Sequence, residues 1–150
     1  LSLTQYAQLI QGLLRHLDVY VILTAGPNES EKAHELAGLV QDPRVVIYDK
    51  NNGLVDFALS LACADLFIAG STGPLHLSGA LNVPTIGFYP SRRSATPLRW
   101  QPINDANKHL AFCPPNDKAS QTDLSQIRID EKLDEVIRFI AKVWNAVDKK

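Results

Sequence analysis

The sequence contains no methionine, only two cysteines and almost no net charge. Without a methionine there is no initiator, and the chain is expected to be a segment of a longer protein. Cys63 and Cys113 are too few for a disulfide framework and too few for a cysteine-based zinc site. The 15 Lys+Arg residues face 16 Asp+Glu, a formal charge of −1, which argues against a polybasic surface that coats nucleic acid or membranes. No window reaches the roughly 18 unbroken apolar residues of a spanning helix. The most apolar stretch, Leu54 to Phe88, is interrupted by Asp56, Asp65, His76 and several Gly and Pro residues. Nor do Leu1-Ser2-Leu3-Thr4-Gln5 offer the basic lead, apolar core and cleavage site of a signal peptide. What is present is a 150-residue chain that is 45% apolar, enough for one domain with a substantial core.

The patterning alternates clearly. Leu3, Tyr6, Leu9, Ile10, Leu13, Leu14 and Leu17 recur at helical spacing, and Ser2 with Gln5 forms a candidate capping box. A β-rich run, 19–24, follows. Then come a polar helix over 29–40 with Ala33, Leu36, Ala37 and Val40 inward, and a strand over 44–48. A third helix carries Leu54, Phe57, Ala58, Leu61 and Ala62. The strand 65–69 leads through Gly70-Ser71-Thr72-Gly73-Pro74 into a helix ending near Leu81. Further strands are expected at 84–89 and 109–113, and a last helix places Leu133, Val136, Ile137, Ile140, Val143, Trp144 and Val147 on one face. Short, continuously apolar strands separated by helices imply an α/β domain, a Rossmann-like three-layer α/β/α arrangement. Its parallel sheet is expected to have about five to six strands, buried on both faces. The irregular stretch 91–125 is of the length that usually carries function or is partly mobile.

In such sheets ligands bind beyond the carboxyl ends of the strands. At Gly70-Ser71-Thr72-Gly73-Pro74 the glycines allow a tight turn and Pro74 suits the first helical position. Ser71 and Thr72 offer hydroxyls, and the helix start offers free N–H groups to a phosphate. An ordinary capped helix uses the same residues. His76, in the first turn, either meets a ligand or bonds a backbone carbonyl. Gly26-Pro27-Asn28-Glu29 reads as a second capped helix start or a plain turn. Arg92, Arg93 and Arg99 follow the fourth strand, as a diphosphate clamp or a solvated basic loop. No nucleophile–base pair, P-loop, G-x-G-x-x-G or metal-ligand set is apparent.

Taken together, the run from Ala64 to Pro90 resembles the signature of glycosyltransferase family 9, which contains the heptosyltransferases of lipopolysaccharide assembly. Leu23-Thr24-Ala25-Gly26-Pro27-Asn28-Glu29 resembles the family's Gly-Pro-x-Glu turn, and Trp100-Gln101-Pro102 its Arg-Trp-x-Pro element. The resemblance covers essentially the whole chain and implies the C-terminal, donor-binding half of a two-domain GT-B enzyme, with residues 1–150 as one domain. It places Ser71, Thr72, Gly73, Pro74 and His76 against a donor diphosphate, and Tyr48, Leu54 and Asp56 near base and ribose. Gly26, Asn28 and Arg93 join this set. Heptose from an ADP-linked donor, a glycolipid acceptor and an Asp general base on a missing N-terminal domain are further implications. So are inverting, metal-independent transfer without a cofactor and a place in the bacterial cytoplasm at the inner membrane face; no nucleic acid is implied. Ser71 stands where the family often has Asp, and Val55 near the place of its ribose-holding acid. A non-enzymatic flavodoxin-like binding domain and half of another GT-B enzyme, such as a nucleotide-sugar epimerase, are the alternatives.

Overall fold

The computed structural model describes residues 1–26, 28–49, 53–70, 72–91, 102–115 and 123–148. Helices and strands alternate as α1 (Leu3–His16), β1 (Val21–Thr24), α2 (Ser30–Val40), β2 (Val45–Tyr48), α3 (Leu54–Ala62), β3 (Phe67–Gly70), α4 (Gly73–Ala80), β4 (Thr85–Phe88), β5 (His109–Phe112) and α5 (Ile129–Asp148). All strand pairings are parallel. No helix among the described residues is long and apolar enough to cross a membrane.

The helix at the N-terminus forms as its sequence dictates. Ser2 Oγ accepts the Gln5 N–H at 3.2 Å, and Gln5 Oε1 accepts the Ser2 N–H at 2.8 Å, which closes the capping box. The Gln5 amide also donates to the carbonyls of Leu124, Ser125 and Ile127 at 3.2, 3.2 and 3.0 Å, which ties α1 to the chain entering α5. One side of α1 supplies Leu9 and Leu13 to a core with Ile86, Phe88, Phe112, Val136 and Ile140. Another side supplies Ala7, Ile10 and Leu14 to a second core with Leu36, against which Val21, Leu23 and Val45 pack.

The structure departs from a single sheet. The strands form one two-stranded sheet, β1-β2, and one three-stranded sheet, β3-β4-β5. β4 is buried at every position. In the β1-β2 sheet, by contrast, Ile22 and Val46 remain 61% and 48% exposed, so helices cover that sheet on one face only. The third helix differs likewise, because Leu61 is its one buried residue while Leu54, Val55 and Leu59 lie open. Apolar periodicity identifies residues fit for burial, but it does not say which strand edges meet.

A polar network closes the β4–β5 end. His109 Nδ1 lies 2.7 Å from Thr85 Oγ1 and its Nε2 lies 3.1 Å from the Tyr89 hydroxyl. The Asn104 amide donates to Thr85 Oγ1 at 2.9 Å and to the carbonyls of Val83 and Lys108 at 3.1 Å. Burial, and to a lesser degree the neighbouring charge of His76, lowers the His109 pKa from 6.5 to about 4. Burial raises that of Tyr89.

Two outcomes are expected. The imidazole is neutral when folded but protonates near 6.5 when unfolded, so its contribution is complete above pH 6.5 and falls away toward pH 4. His109 is only half-buried, so solvent screening limits the loss to on the order of 1–2 kcal/mol. Urea titrations at both ends of that window should show it, and His109→Gln should flatten the slope. Separately, a Cβ on Gly79 would sit 2.2 Å from Pro102 Cβ, whereas one on Gly38 in α2 would meet nothing within 4 Å. Gly79→Ala should therefore destabilise by about 1–3 kcal/mol. Gly38→Ala should stabilise by roughly 0.5–1 kcal/mol in the same assay.

Candidate functional site

β3 ends at Gly70, and Thr72 takes the N-cap position of α4 in extended backbone (φ −133°, ψ 169°). Gly73 is the first helical residue and Pro74 the second, one position later than the sequence suggested. The Thr72 side chain makes no capping hydrogen bond, so the ordinary capped-helix reading does not describe this end. The His76 N–H donates to the Thr72 carbonyl at 3.3 Å and opens the helical ladder. The N–H groups of Gly73 and Leu75 precede it and Pro74 has none, so the unfilled donors gather at one point. Thr72, Gly73 and Pro74 are exposed, and a Cβ on Gly73 would meet nothing within 4 Å. The backbone is therefore open to a ligand. His76 is half-buried in the first turn, near enough to His109 to bear on its titration.

The other strand ends build a separate cluster. Thr24 and Tyr48 are in register, and the Ala25 N–H donates to the Tyr48 carbonyl at 3.1 Å. The Gly26 carbonyl accepts the Glu29 N–H at 3.1 Å, and Asn28 is exposed between them. Glu29 sits at the N-cap position of α2 without a side-chain cap bond, so the expected second capped start is a plain turn. The Ser30 hydroxyl instead donates to the Asp49 carboxylate at 2.8 Å. The Tyr48 hydroxyl donates to Asp56, and Ser60 Oγ donates to the Tyr48 hydroxyl at 3.3 Å and the Asp56 carbonyl at 3.0 Å. Tyr48 and Asp56 thus meet, eight residues apart in sequence. Leu54 lies 72% exposed at the start of α3, after Gly53, whose φ of +100° favours glycine.

One cavity of about 1500 Å³ borders both ends, with Thr24, Glu29, Lys32, Tyr48 and Phe57 on one side and Gly70, Thr72 and Pro74 on the other. Of the expected site residues it brings Tyr48, Thr72 and Pro74 to its wall. Gly26, Asn28, Leu54, Asp56, Gly73 and His76 lie outside that lining. Ser71 and Arg93 fall outside the described residues, as do Pro27, Arg92, Arg99, Trp100 and Gln101. Lys32, a cation on this wall, did not stand out in the sequence because α2 is polar throughout much of its length. Tyr6 was also missed as a site element. It shares the cavity wall with Gly70, and burial raises its pKa. Its helical spacing marks it only as core. A smaller hollow of about 280 Å³ is lined by Gln11, Leu14, Arg15, Val40, Asp42 and Arg44. There Arg44 is held by Asp42 at 3.0 Å, and that pairing keeps the Asp42 carboxyl below its ordinary range. Among the described residues no group of three or more His, Cys, Asp or Glu side chains gathers for a metal ion.

Because Asp56 stays accessible to water, Tyr48→Phe should cost no more than about 1 kcal/mol in urea unfolding. A larger loss would mean that the pair is a structural tie rather than an open polar surface.

Comparison with known proteins gives a consistent picture. Residues 3–127 match the family described as glycosyltransferase family 9 (heptosyltransferase). A putative glycosyltransferase of Haemophilus influenzae is 68% identical over 144 residues, covering 96% of the chain and 42% of that protein. The lipooligosaccharide heptosyltransferase 2 of Campylobacter jejuni is 27% identical over 92 residues, 60% of the chain and 29% of that protein. Among solved structures, E. coli heptosyltransferase WaaC with ADP superposes with a TM-score of 0.72 at 26% identity, over 95% of the chain and 39% of that protein. The E. coli ADP-heptose LPS heptosyltransferase II gives a TM-score of 0.76 at 17% identity, over 94% and 42%, a likeness of fold alone. The chain therefore spans less than half the length of each of these relatives.

Proposed function

The chain belongs to glycosyltransferase family 9 (heptosyltransferase), and on that premise we propose that it is the donor-binding domain of a glycosyltransferase that takes a nucleotide-diphosphate sugar, ADP-linked heptose in particular. The observation that carries this reading is the uncapped, exposed start of α4, with open space over Gly73, on a fold whose E. coli relative is a complex with ADP. The exposed Gly73 N–H group and the Thr72 hydroxyl hold the diphosphate, and His76 stands beside them. The helix-end field adds only about 0.3–1 kcal/mol when exposed, so direct hydrogen bonds supply most of the attraction. Asp56, oriented by Tyr48, accepts from the ribose hydroxyls, and Gly26, Asn28 and Leu54 border the base. Lys32 adds positive charge to the same cavity, and the family resemblance alone brings Ser71 and Arg93 into the set.

The proposed reaction is supported by family membership. A carboxylate base on the remaining part of the longer protein removes a proton from an acceptor hydroxyl of a lipopolysaccharide-type glycan. The oxygen attacks the anomeric carbon with inversion, and the nucleoside diphosphate leaves with the bonding electrons. Negative charge grows on the leaving diphosphate, and a preorganised row of N–H donors stabilises that growth without reorganising. The protein works in the cytoplasm, at the inner membrane face where a glycolipid acceptor is accessible.

A thermal-shift panel of ADP-, UDP- and GDP-sugars tests the donor assignment. An ADP-sugar at 100 times its dissociation constant should stabilise the chain by about 2.7 kcal/mol. Gly73→Val should abolish that shift with an unchanged circular dichroism spectrum, since a side chain there finds open space in the fold. An undiminished shift in the variant would refute the cradle. The 150-residue chain should also transfer no sugar by itself, because losing a positioned base alone costs about 10²–10⁴ in rate.

A further inference from the structure

The two helical layers of the molecule differ in chemistry. α1 and α5 pack on the face of the β3-β4-β5 sheet that carries Ile86 and Phe88. α4 packs on the other face, where a Cβ on Gly87 would meet Leu75 Cδ2 at 3.0 Å, and α3 lies against α4. Charge recurs along α5, from Asp130 and Glu131 to Lys142. In α3 and α4 together, Asp56 is the one Asp, Glu, Lys or Arg residue, and the Tyr48 hydroxyl engages it. Exposed aliphatic side chains gather on this same layer. Leu54, Val55 and Leu59 of α3, and Ile103 beside Gly79 of α4, are each at least 65% exposed. We propose that the uncharged α3–α4 layer docks on a lipid bilayer, with Val55 and Leu59 entering the boundary between headgroups and acyl chains.

The pattern of α3 supplies the first argument. Phe57, Ser60 and Leu61 line the cavity, which fixes the inward side of the helix. Val55 and Leu59, four residues apart, share the opposite side, with Ala58 and Ala62 between and below them. A surface helix ordinarily turns charged and polar residues to water. The outward side of α3 carries none. A helix that is apolar on both sides has a second partner, and the first is the sheet layer beneath it.

Size and chemistry select a bilayer over a protein. Trp, Tyr and Arg dominate protein interfaces, where Leu and Val are under-represented; the outward side of α3 offers aliphatic groups alone. At roughly 100 Å² of apolar surface per side chain, Leu54, Val55, Leu59 and Ile103 present ~400 Å². That is about half of the ~800 Å² per partner that a stable protein interface buries, so a second copy of the chain does not fit. It is instead of the order that gives the weak, reversible membrane hold of a single acyl chain. With no Lys or Arg in α3 or α4, the attraction does not depend on anionic headgroups.

Position gives the docking a use. Asp56 follows Val55 on the same helix and meets Tyr48 on the cavity side. A bilayer beneath Val55 and Leu59 therefore lies about one helix diameter, ~10–12 Å, from that carboxylate. A lipid-linked acceptor then presents its glycan at the height of the donor. This use rests on the donor-binding reading given above, whereas the docking itself rests on the exposed aliphatic layer.

Flotation of the full-length protein with vesicles of phosphatidylcholine, alone or mixed with phosphatidylglycerol, tests the docking. Binding to both vesicles, little changed by salt, is the expected result. Val55→Ser combined with Leu59→Ser should weaken it at least ~10-fold. Leu39→Ser, at an exposed position of α2 in the other layer, should leave it unchanged. The ADP-sugar thermal shift of the double variant should equal that of the parent protein, so loss of flotation and loss of donor binding are read separately. Absence of flotation by the parent protein overturns the proposal, as does equal flotation of the double variant. Binding confined to phosphatidylglycerol vesicles and lost in salt overturns it too, because basic residues elsewhere would then make the contact. So does a concentration-dependent dimer that the double variant abolishes, since the layer would then face a second copy.

Discussion

The two sheets have no hydrogen bonds between them, so the fold depends on a helix that serves two cores at once. Leu9 and Leu13 of α1 pack into the β4–β5–α5 core, while Ala7, Ile10 and Leu14 pack with Leu36 of α2 over β1 and β2. Tyr6 packs against both. A helix ordinarily buries one stripe against one surface; α1 buries a wider one against two. The capping box at Ser2 and Gln5, and the Gln5 amide's bonds to the chain entering α5, hold the register that makes this double packing possible.

This arrangement leaves the two halves of the site on different supports. The α4 start belongs to the β3-β4-β5 sheet, whose central strand is wholly buried, so its N–H groups rest on rigid structure. The Tyr48–Asp56 pair belongs to the β1-β2 half, where one sheet face and most of α3 are open to water. On the proposed reading, diphosphate recognition, which needs donors fixed in advance, would fall on the firm side. Ribose recognition by a carboxylate and a hydroxyl would fall on the accessible side, where a ligand can displace water.

Much of this was legible in the residues. Helical spacing and the Ser2–Gln5 box marked α1, and continuous apolar runs marked every strand. Gly73-Pro74 located the start of α4 to within one position. The combination of turns across the chain resembled the family to which it belongs, and family membership, rather than fold, separates a glycosyltransferase from a flavodoxin-like binding domain. Other features were not legible. Leu54, Phe57, Ala58, Leu61 and Ala62 of α3 promised a buried face, yet Leu54 is exposed and Leu61 alone of the five is buried. Glu29 looked like part of a capped start and makes no cap bond. The contact of Tyr48 with Asp56 depends on how β2 and α3 come together in space, which no spacing rule encodes.

The amino-acid sequence by itself determined the elements, their order and the chemistry available at each strand end, because turn residues, caps and hydrophobic period act over a few neighbouring positions. Only the tertiary structure decided which strand edges pair, which apolar faces stay open and which polar groups meet. Those outcomes depend on contacts between residues far apart in the chain. Edge pairing, in particular, depends on backbone groups that every residue except proline carries alike. The division of the described strands into two parallel sheets could therefore be seen only in space.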